Sequence, residues 1–413
     1  MRFSILLLST LILLGIFYFL SLSFNLPIFT VFPSTVFAIW ILNKCTDPNP
    51  FVFKFGNWNE LNKIEYFIFS IFFLLGTRQF VNFSTRWGGY DAWAIWTNHS
   101  IFIDSIETTQ RLLSSELSWS HPDYPVVLPS LICVFNFLCG GFSAVSPMAV
   151  AFLIFLLFML TSFFCLEPQG GFFGLSFCAL LIIDDFFMSR LSSQYADSLL
   201  GLIELTSMIL FSRVLIIPKI KTENICLLGF VSSFSVLIKN EGIIFLLILV
   251  FSLIYFLRRE RHLIFYFILS LIPALSFLLV AKTVLFVPNE IIGGLDFQGV
   301  FSKLTDVHRY TTVAKYFFVT IWYKFYLGLF IFIFLLWFGS PSRVGKVLLT
   351  LVVLNGVAFF LIYILTPYEL NWHLETSLDR LLHQIYPSYL FICFYTLHEL
   401  ITISSNSISI GKK

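Results

Sequence analysis

A chain of 413 residues that is 58% hydrophobic, only 12% charged and carries 53 phenylalanines has more apolar surface than a soluble fold can bury. Its formal charge of +2 is scattered over short basic stretches and forms no patch, so no nucleic-acid partner is implied. The seven cysteines (Cys45, Cys133, Cys139, Cys165, Cys178, Cys226, Cys393) are odd in number, form no C-x-x-C pair and fall mostly inside apolar runs. They read as small core residues, and neither a disulfide frame nor a zinc site is expected.

The first apolar run covers residues 3–24 behind Met1 and Arg2. It lacks a small-x-small cleavage site and is soon followed by a second run, Pro27 to Leu42, so it reads as a membrane span and not as a secretion signal. A polar stretch from Asn43 to Lys63 carries Lys44, Lys54 and Lys63, and the run Ile64 to Val81 then leads into the longest polar segment of the chain. That segment, Trp87 to Pro129, holds Trp87, Trp93, Trp96 and Trp119, amphipathic rings suited to a membrane surface. Later basic loops lie at Lys219 and Lys221, at Arg258 to Arg261, at Arg343 and Lys346, and at Lys412 and Lys413. Placing them all in the cytoplasm satisfies the positive-inside rule.

This orientation puts five polar segments on the other side: the Trp87 loop, Gln194 to Asp197, Lys239 to Glu241, Pro288 to Thr312, and Thr366 to His383. Three apolar runs (124–142, 147–166 and 171–189) separate the first two of these, so one run cannot cross. The run Tyr124 to Gly140 follows His-Pro-Asp-Tyr-Pro and ends in two glycines, and is expected to be a juxtamembrane or re-entrant helix. The remainder gives an all-α polytopic protein of about twelve transmembrane helices, with short tilted crossings at 224–238 and 243–257. No repeat, linker or soluble domain is evident. Residues 1–413 form a single integral-membrane domain, with an extracytoplasmic loop at 82–125 as the candidate active-site segment.

Polar chemistry gathers in a few places. Asp91 follows Gly88, Gly89 and Tyr90 and opens a helical stretch in which Trp93 and Trp96 would share a face. It reads either as an ordinary helix N-cap or as a general base at the bilayer surface. In His121-Pro122-Asp123-Tyr124-Pro125 the two prolines restrict the backbone and hold a His and an Asp at the mouth of an apolar run; a rigid loop leading into a helix explains the same pattern. Asp197 stands at the head of a span, where capping is the bland alternative, and Asp184 and Asp185 end the preceding run as solvated groups.

Lys239, Asn240 and Glu241 interrupt about thirty apolar residues. They make either a tight outer turn or a charged group facing a phosphate. In the late polar loop, His373 precedes Arg380 and His383, which are three apart and on a helix could grip one anion. A surface ion pair of Arg380 with Asp379 or Glu375 is the competing expectation.

The blocks Gly-Gly-Tyr-Asp-Ala-Trp-Ala-Ile-Trp, His-Pro-Asp-Tyr-Pro-Val-Val-Leu-Pro, Tyr-Ala-Asp, Leu-Ile-Lys-Asn-Glu-Gly and Trp-His-Leu-Glu-Thr-Ser-Leu-Asp-Arg-Leu-Leu occur in that order. As an ordered set they resemble the bacterial integral-membrane glycosyltransferases of the GT-C superfamily. The resemblance is to the group of dolichyl-phosphate-mannose protein mannosyltransferases and lipopolysaccharide galacturonosyltransferases. It implies a sugar donor carried on a polyprenyl phosphate, an acceptor hydroxyl on a glycan, lipid or protein, and an active site on the outer face of a bacterial inner membrane. It also implies an acidic catalytic base in the first large outer loop, the position of Asp91, with His121, Asp123 and Tyr124 before the next apolar run and Asp197 in a later loop. The superfamily's pair of adjacent acids is absent, because Ala92 follows Asp91. No cofactor is therefore expected, and a divalent metal is not supported.

The residue types suit an inverting displacement. An attacking hydroxyl must lose its proton, which Asp91 would accept, while Arg380, helped by Lys239 or His383, would hold the departing phosphate, and Glu241 is a further substrate-binding candidate. A transporter or lipid flippase is the alternative, and its ionisable residues would lie near the bilayer midplane.

Overall fold

The computed structural model describes residues 1–45, 60–103, 105–112, 115–166, 171–217, 219–285, 297–338 and 341–410. Among them there is no strand, only helices and their connections. The helices are α1 (Arg2–Ser23), α2 (Val31–Cys45), α3 (Glu60–Phe83), α4 (Asn98–Phe102), α5 (Ile106–Arg111), α6 (Val127–Leu138), α7 (Val145–Phe163), α8 (Gly171–Ile183) and α9 (Asp185–Ser192). They continue with α10 (Ala196–Ile216), α11 (Thr222–Ser233), α12 (Gly242–Phe256), α13 (Arg261–Leu285), α14 (Phe297–Thr305), α15 (Val307–Lys324), α16 (Tyr326–Phe338), α17 (Arg343–Leu365) and α18 (Leu370–Ile410).

Six of these (α1, the 63–83 part of α3, α7, α10, the 261–283 part of α13, and α17) are long and apolar enough to cross a bilayer. Two bent pairs raise the number to as many as eight: α8 with α9, which meet at 76°, and α15 with the first part of α16, at 88°. The chain is therefore an all-helical, multi-pass membrane protein. The Lys54 stretch (46–59), residues 288–296 of the Pro288 to Thr312 loop, and Lys412 and Lys413 fall outside the described residues.

Two helices organise the bundle. The helix α10 is buried all round, as a helix without a polar face must be when neighbours replace lipid on every side. Beside it runs α18, so close that a Cβ on Gly201 would come within 2.8 Å of the Gln384 carbonyl. Ser198 on α10 meets His383 on α18 near the head of the shared stretch, and the two helices run in the same direction from there.

The segment after α3 sets the depth of the polar residues. The helix α6 has 12 residues, about 18 Å at 1.5 Å per residue, which is shorter than the ~30 Å hydrocarbon layer. Its first residue packs on the middle of α1, where a Cβ on Gly15 would come 2.5 Å from the Val127 carbonyl. Further along, Tyr18 of α1 donates to the Ile103 carbonyl at 3.2 Å and Cys133 of α6 lies 3.4 Å from the same oxygen. The loop after α3 thus folds back alongside α1, and α6 returns toward the end of α1 from which the loop came.

The C-terminal end of α17 leaves carbonyls without helical partners. Arg309 of α15 takes up three of them, donating from Nε to Ile364 O at 2.9 Å and from Nη2 to Tyr363 O at 3.1 Å and Thr366 O at 3.5 Å. Lys303 reaches Leu365 O at 3.4 Å. Cations at this end also oppose the helix dipole. Arg309→Met is expected to cost about 1–3 kcal/mol by leaving partly buried acceptors unpaired. A lowered melting midpoint in detergent, at unchanged helical circular dichroism at 20 °C, is the measurement that checks it.

Candidate active site

Five separate stretches of sequence (85–97, 121–126, 193–197, 239–241 and 380–384) meet where the head of α10 packs on α18. The first is the turn leading into Asp91. Gly88 has φ +70°, a left-handed backbone that glycine adopts without penalty, and a Cβ on Gly89 would collide with the Tyr195 phenol ring. Their absence of side chains lets the backbone press onto the turn at 193–195. Gly89 N donates to Ser193 O at 3.0 Å, and the Gln194 amide donates to Thr85 O at 2.9 Å. Gln194 itself has φ +63°, so both faces of this contact are sharply turned.

Beyond the turn, Ala92–Thr97 winds as a π-helix, a form that occurs mostly as a single turn and often at functional sites. This overturns the expectation that Trp93 and Trp96 share a face. The wider winding spreads residues three apart around the axis: Trp93 is exposed, whereas Trp96 is buried with its ring stacked on Tyr124 at 5.3 Å. His99, at the start of α4, donates from Nε2 to Ser120 O at 2.8 Å, and the same nitrogen lies 3.0 Å from Ser120 Oγ. Burial pushes its imidazole down to about 4.

Asp91 does not cap the helix it opens: its side chain makes no capping bond and is instead paired with Arg380 of α18, through Oδ2 and Nη1. The Arg380 guanidinium also lies over the Tyr195 ring, 5.3 Å from its centroid. The competing expectations for Arg380 are overturned. Asp379 points elsewhere, to Arg190 and Lys324, and Glu375 accepts from Tyr316 Oη at 2.9 Å. Asp91 and Arg380 keep 20% and 14% of their side-chain surface exposed, so the pair opens to solvent.

Asp197 likewise does not cap α10. It lies in the first turn and is almost fully buried, with Oδ1 accepting from Lys239 Nζ at 2.9 Å and from Gln384 Nε2 at 2.6 Å. Lys239 also reaches Glu241 Oε1 at 3.1 Å and lies 5.7 Å from the Tyr124 ring. Burial alone would lower its pKa, but the Asp197 and Glu241 carboxylates outweigh that and hold it above the ordinary lysine range. Burial likewise raises the Tyr124 phenol. Next to it, Asn240 Nδ2 donates to Asp123 Oδ2 at 2.8 Å, so the 239–241 turn grips the His-Pro-Asp-Tyr-Pro turn, whose His121 has φ +51°.

The structure thus brings Asp91, Asp123, Tyr124, Asp197, Lys239, Glu241 and Arg380 to one end of the bundle, with the His121 ring tilted against Tyr124 at 5.4 Å. It does not bring His383 and Arg380 onto one anion. His383 is buried against Phe187, 5.1 Å between rings, and its Nε2 meets Ser198 Oγ at 3.2 Å. His373 pairs with Thr366 Oγ1 at 2.8 Å and packs on Tyr363, closing the α17–α18 connection. Asp184 is not a solvated end group. It is buried, caps α9 at Phe187 N (2.9 Å) and accepts from Tyr386 Oη at 2.7 Å.

Compared with known protein families, with characterised proteins and with solved structures, the chain matches none of them. The site must therefore be read from its own geometry.

Two of its members escaped the sequence reading. Gln384 sits four residues after Arg380, the spacing that puts two side chains on one helical face, and that signal could have found it. Tyr195 lies two residues before Asp197, but nothing in the pattern shows that a flat ring must fill the space that Gly89 leaves. Along the other side of Tyr124, a small crevice of about 20 Å³, room for about one water-sized group, runs between the 122–126 turn and α13. Val126, Leu237, Phe277, Leu278 and Ala281 make it apolar, with Asp123 and Lys282 as its charged members.

The buried charges make a sharp stability test. Lys239→Met leaves Asp197 buried without its cation and is expected to cost about 3–5 kcal/mol, whereas Lys239→Met with Asp197→Leu recovers part of that loss. Chemical or thermal unfolding of the purified single and double variants measures both.

Proposed function

We propose that the chain is a membrane glycosyltransferase of the GT-C type that moves a monosaccharide from a polyprenyl-phosphate donor to an acceptor hydroxyl on a glycan, lipid or protein. In this reading the bundle crosses the bacterial inner membrane twelve times. The six long helices, the two bent pairs, the short α2, α11 and α12 and the long α18 make the crossings, while α6 stays within the outer half. The active site then faces the extracytoplasmic side.

The observation that carries the reading is the pair formed by Asp91 and Arg380, a carboxylate and a guanidinium from positions 289 residues apart, partly open to solvent. A base and a phosphate-binding cation are the two groups that this displacement needs, and here they occupy each other. A donor phosphate binding to Arg380 would take over the guanidinium N–H groups and free Asp91 Oδ2. The acceptor hydroxyl would pass its proton to that oxygen as its own oxygen attacks the anomeric carbon. The bond to the phosphate oxygen breaks on the opposite face, so the configuration inverts, and the negative charge moves to the phosphate, where Arg380 offsets it. Lys239, neutralised by Asp197 and Glu241, acts as the positioning group of this arrangement.

One observation favours the second reading, a transporter or lipid flippase. Glu204 is buried in the middle of α10, and its Oε1 has no hydrogen-bond partner among the described residues. A carboxyl at that depth is the kind of group that proton-coupled carriers use.

Purified protein given a labelled polyprenyl-phosphate sugar separates the two. Release of free polyprenyl phosphate is expected, and a carrier releases none. Asp91→Asn is expected to lower turnover by about 10²-fold or more at unchanged expression. Retained turnover would remove Asp91 from the base role. Arg380→Ala should raise the donor KM, and an unchanged donor KM would assign the phosphate to another cation.

A further inference from the structure

Asp379, next to Arg380 on α18, takes two cations at once. Arg190 Nη2 of α9 lies 2.5 Å from Asp379 Oδ2, and Lys324 Nζ at the end of α15 lies 2.7 Å from the same oxygen. The two positive charges are therefore within about 5 Å of each other, where they repel, and a single carboxylate neutralises only one of them.

The other acids at the start of α9 have their own partners. Asp184 accepts from Phe187 N and Tyr386 Oη, and Asp185 Oδ1 accepts from the Gln79 amide at 2.6 Å. Tying α9 to α18 needs one cation, and Arg190 supplies it. Lys324 is the charge that such a tie leaves over.

The surroundings hold both cations in place and leave them open. Each lies over the Phe186 ring, the guanidinium 5.4 Å and the ammonium 5.3 Å from its centroid. Phe186 is itself packed edge-on against Phe325 at 5.0 Å. Asp379 is nearly buried behind them at 6% exposure, while Arg190 and Lys324 keep 27% and 41% of their side-chain surface. A guanidinium has five N–H donors and an ammonium three, and the carboxylate uses few of them. Two adjacent cations with spare donors, backed by one acid, are a receptor for an oxyanion.

We propose that Arg190 and Lys324 form an oxyanion-binding subsite, distinct from the Asp91–Arg380 pair, that takes a phosphate group. The exposed Trp322, Tyr323 and Tyr326 flank Lys324, rings that favour the headgroup level of a bilayer, so the phosphate belongs either to an anionic lipid headgroup or to a water-soluble molecule. This holds whether the chain is a transferase or a carrier.

Inorganic phosphate titrated against the full-length protein in a neutral detergent, at constant ionic strength and read by thermal shift, tests the subsite. Phosphate is expected to raise the melting midpoint of the native protein. Its apparent Kd should weaken by at least about tenfold in Lys324→Gln, which keeps the Arg190–Asp379 pair and so keeps the fold, and further in Arg190→Gln/Lys324→Gln. A Kd unchanged in Lys324→Gln, or no phosphate stabilisation of the native protein, would overturn the proposal. Repeating the titration in nanodiscs identifies the source: phosphatidylglycerol in a phosphatidylcholine disc competes with phosphate at a headgroup site and does not compete at a site for soluble phosphate.

Discussion

Two opposite charges held 2.9 Å apart with almost no exposure, Lys239 and Asp197, are the contact on which the polar end of the bundle depends. Withdrawing each from water is expensive, and their attraction offsets that cost only where further bonds complete the geometry. Gln384 supplies a second donor to Asp197, and Glu241 a second acceptor for Lys239. The consequence is positional. The head of α10, the turn before α12 and the middle of α18 are tied to one point, and Arg380, one helical turn before Gln384, is aimed at Asp91 as a result.

Around that point the chain uses small and rigid residues to bring backbone close. Gly88 admits the Ser193 carbonyl, Gly89 admits the Tyr195 ring, and Gly201 admits the backbone of α18. The π-helical turn after Asp91 then buries Trp96 against Tyr124 while leaving Trp93 exposed. The contacts of Gly88 and Gly89 join the loop after α3 to residues more than a hundred positions later. The loop is thus held by the bundle and not by its own short helices.

The two ion-pair groups on α18 differ in a way that bears on their roles. Arg380 meets one carboxylate and is balanced; Asp379, its neighbour in sequence, faces a different side of the helix and meets two cations. A helix turns by about 100° per residue, so adjacent positions serve separate surfaces. The balanced pair can be opened by a ligand that competes for either partner, whereas the unbalanced group offers charge without being opened.

Much of this could be read before any coordinates. Apolar runs of bilayer length, the absence of charge within them and the distribution of lysine and arginine determined a multi-pass helical protein, because burial in lipid depends on composition and length. Asp91, Asp123, Asp197, Lys239 and Arg380 stood out for the same reason, since ionisable residues beside such runs are costly and few. What they bond to was decided only by tertiary structure. Asp91 and Asp197 looked like helix caps because capping is a local rule, yet both turn to partners far along the chain. His383 was grouped with Arg380 by spacing, but the packing of α10 against α18 carries it to Ser198. Short-range patterns report which residues are costly to bury, and only the long-range packing of helices chooses which opposite charge repays that cost.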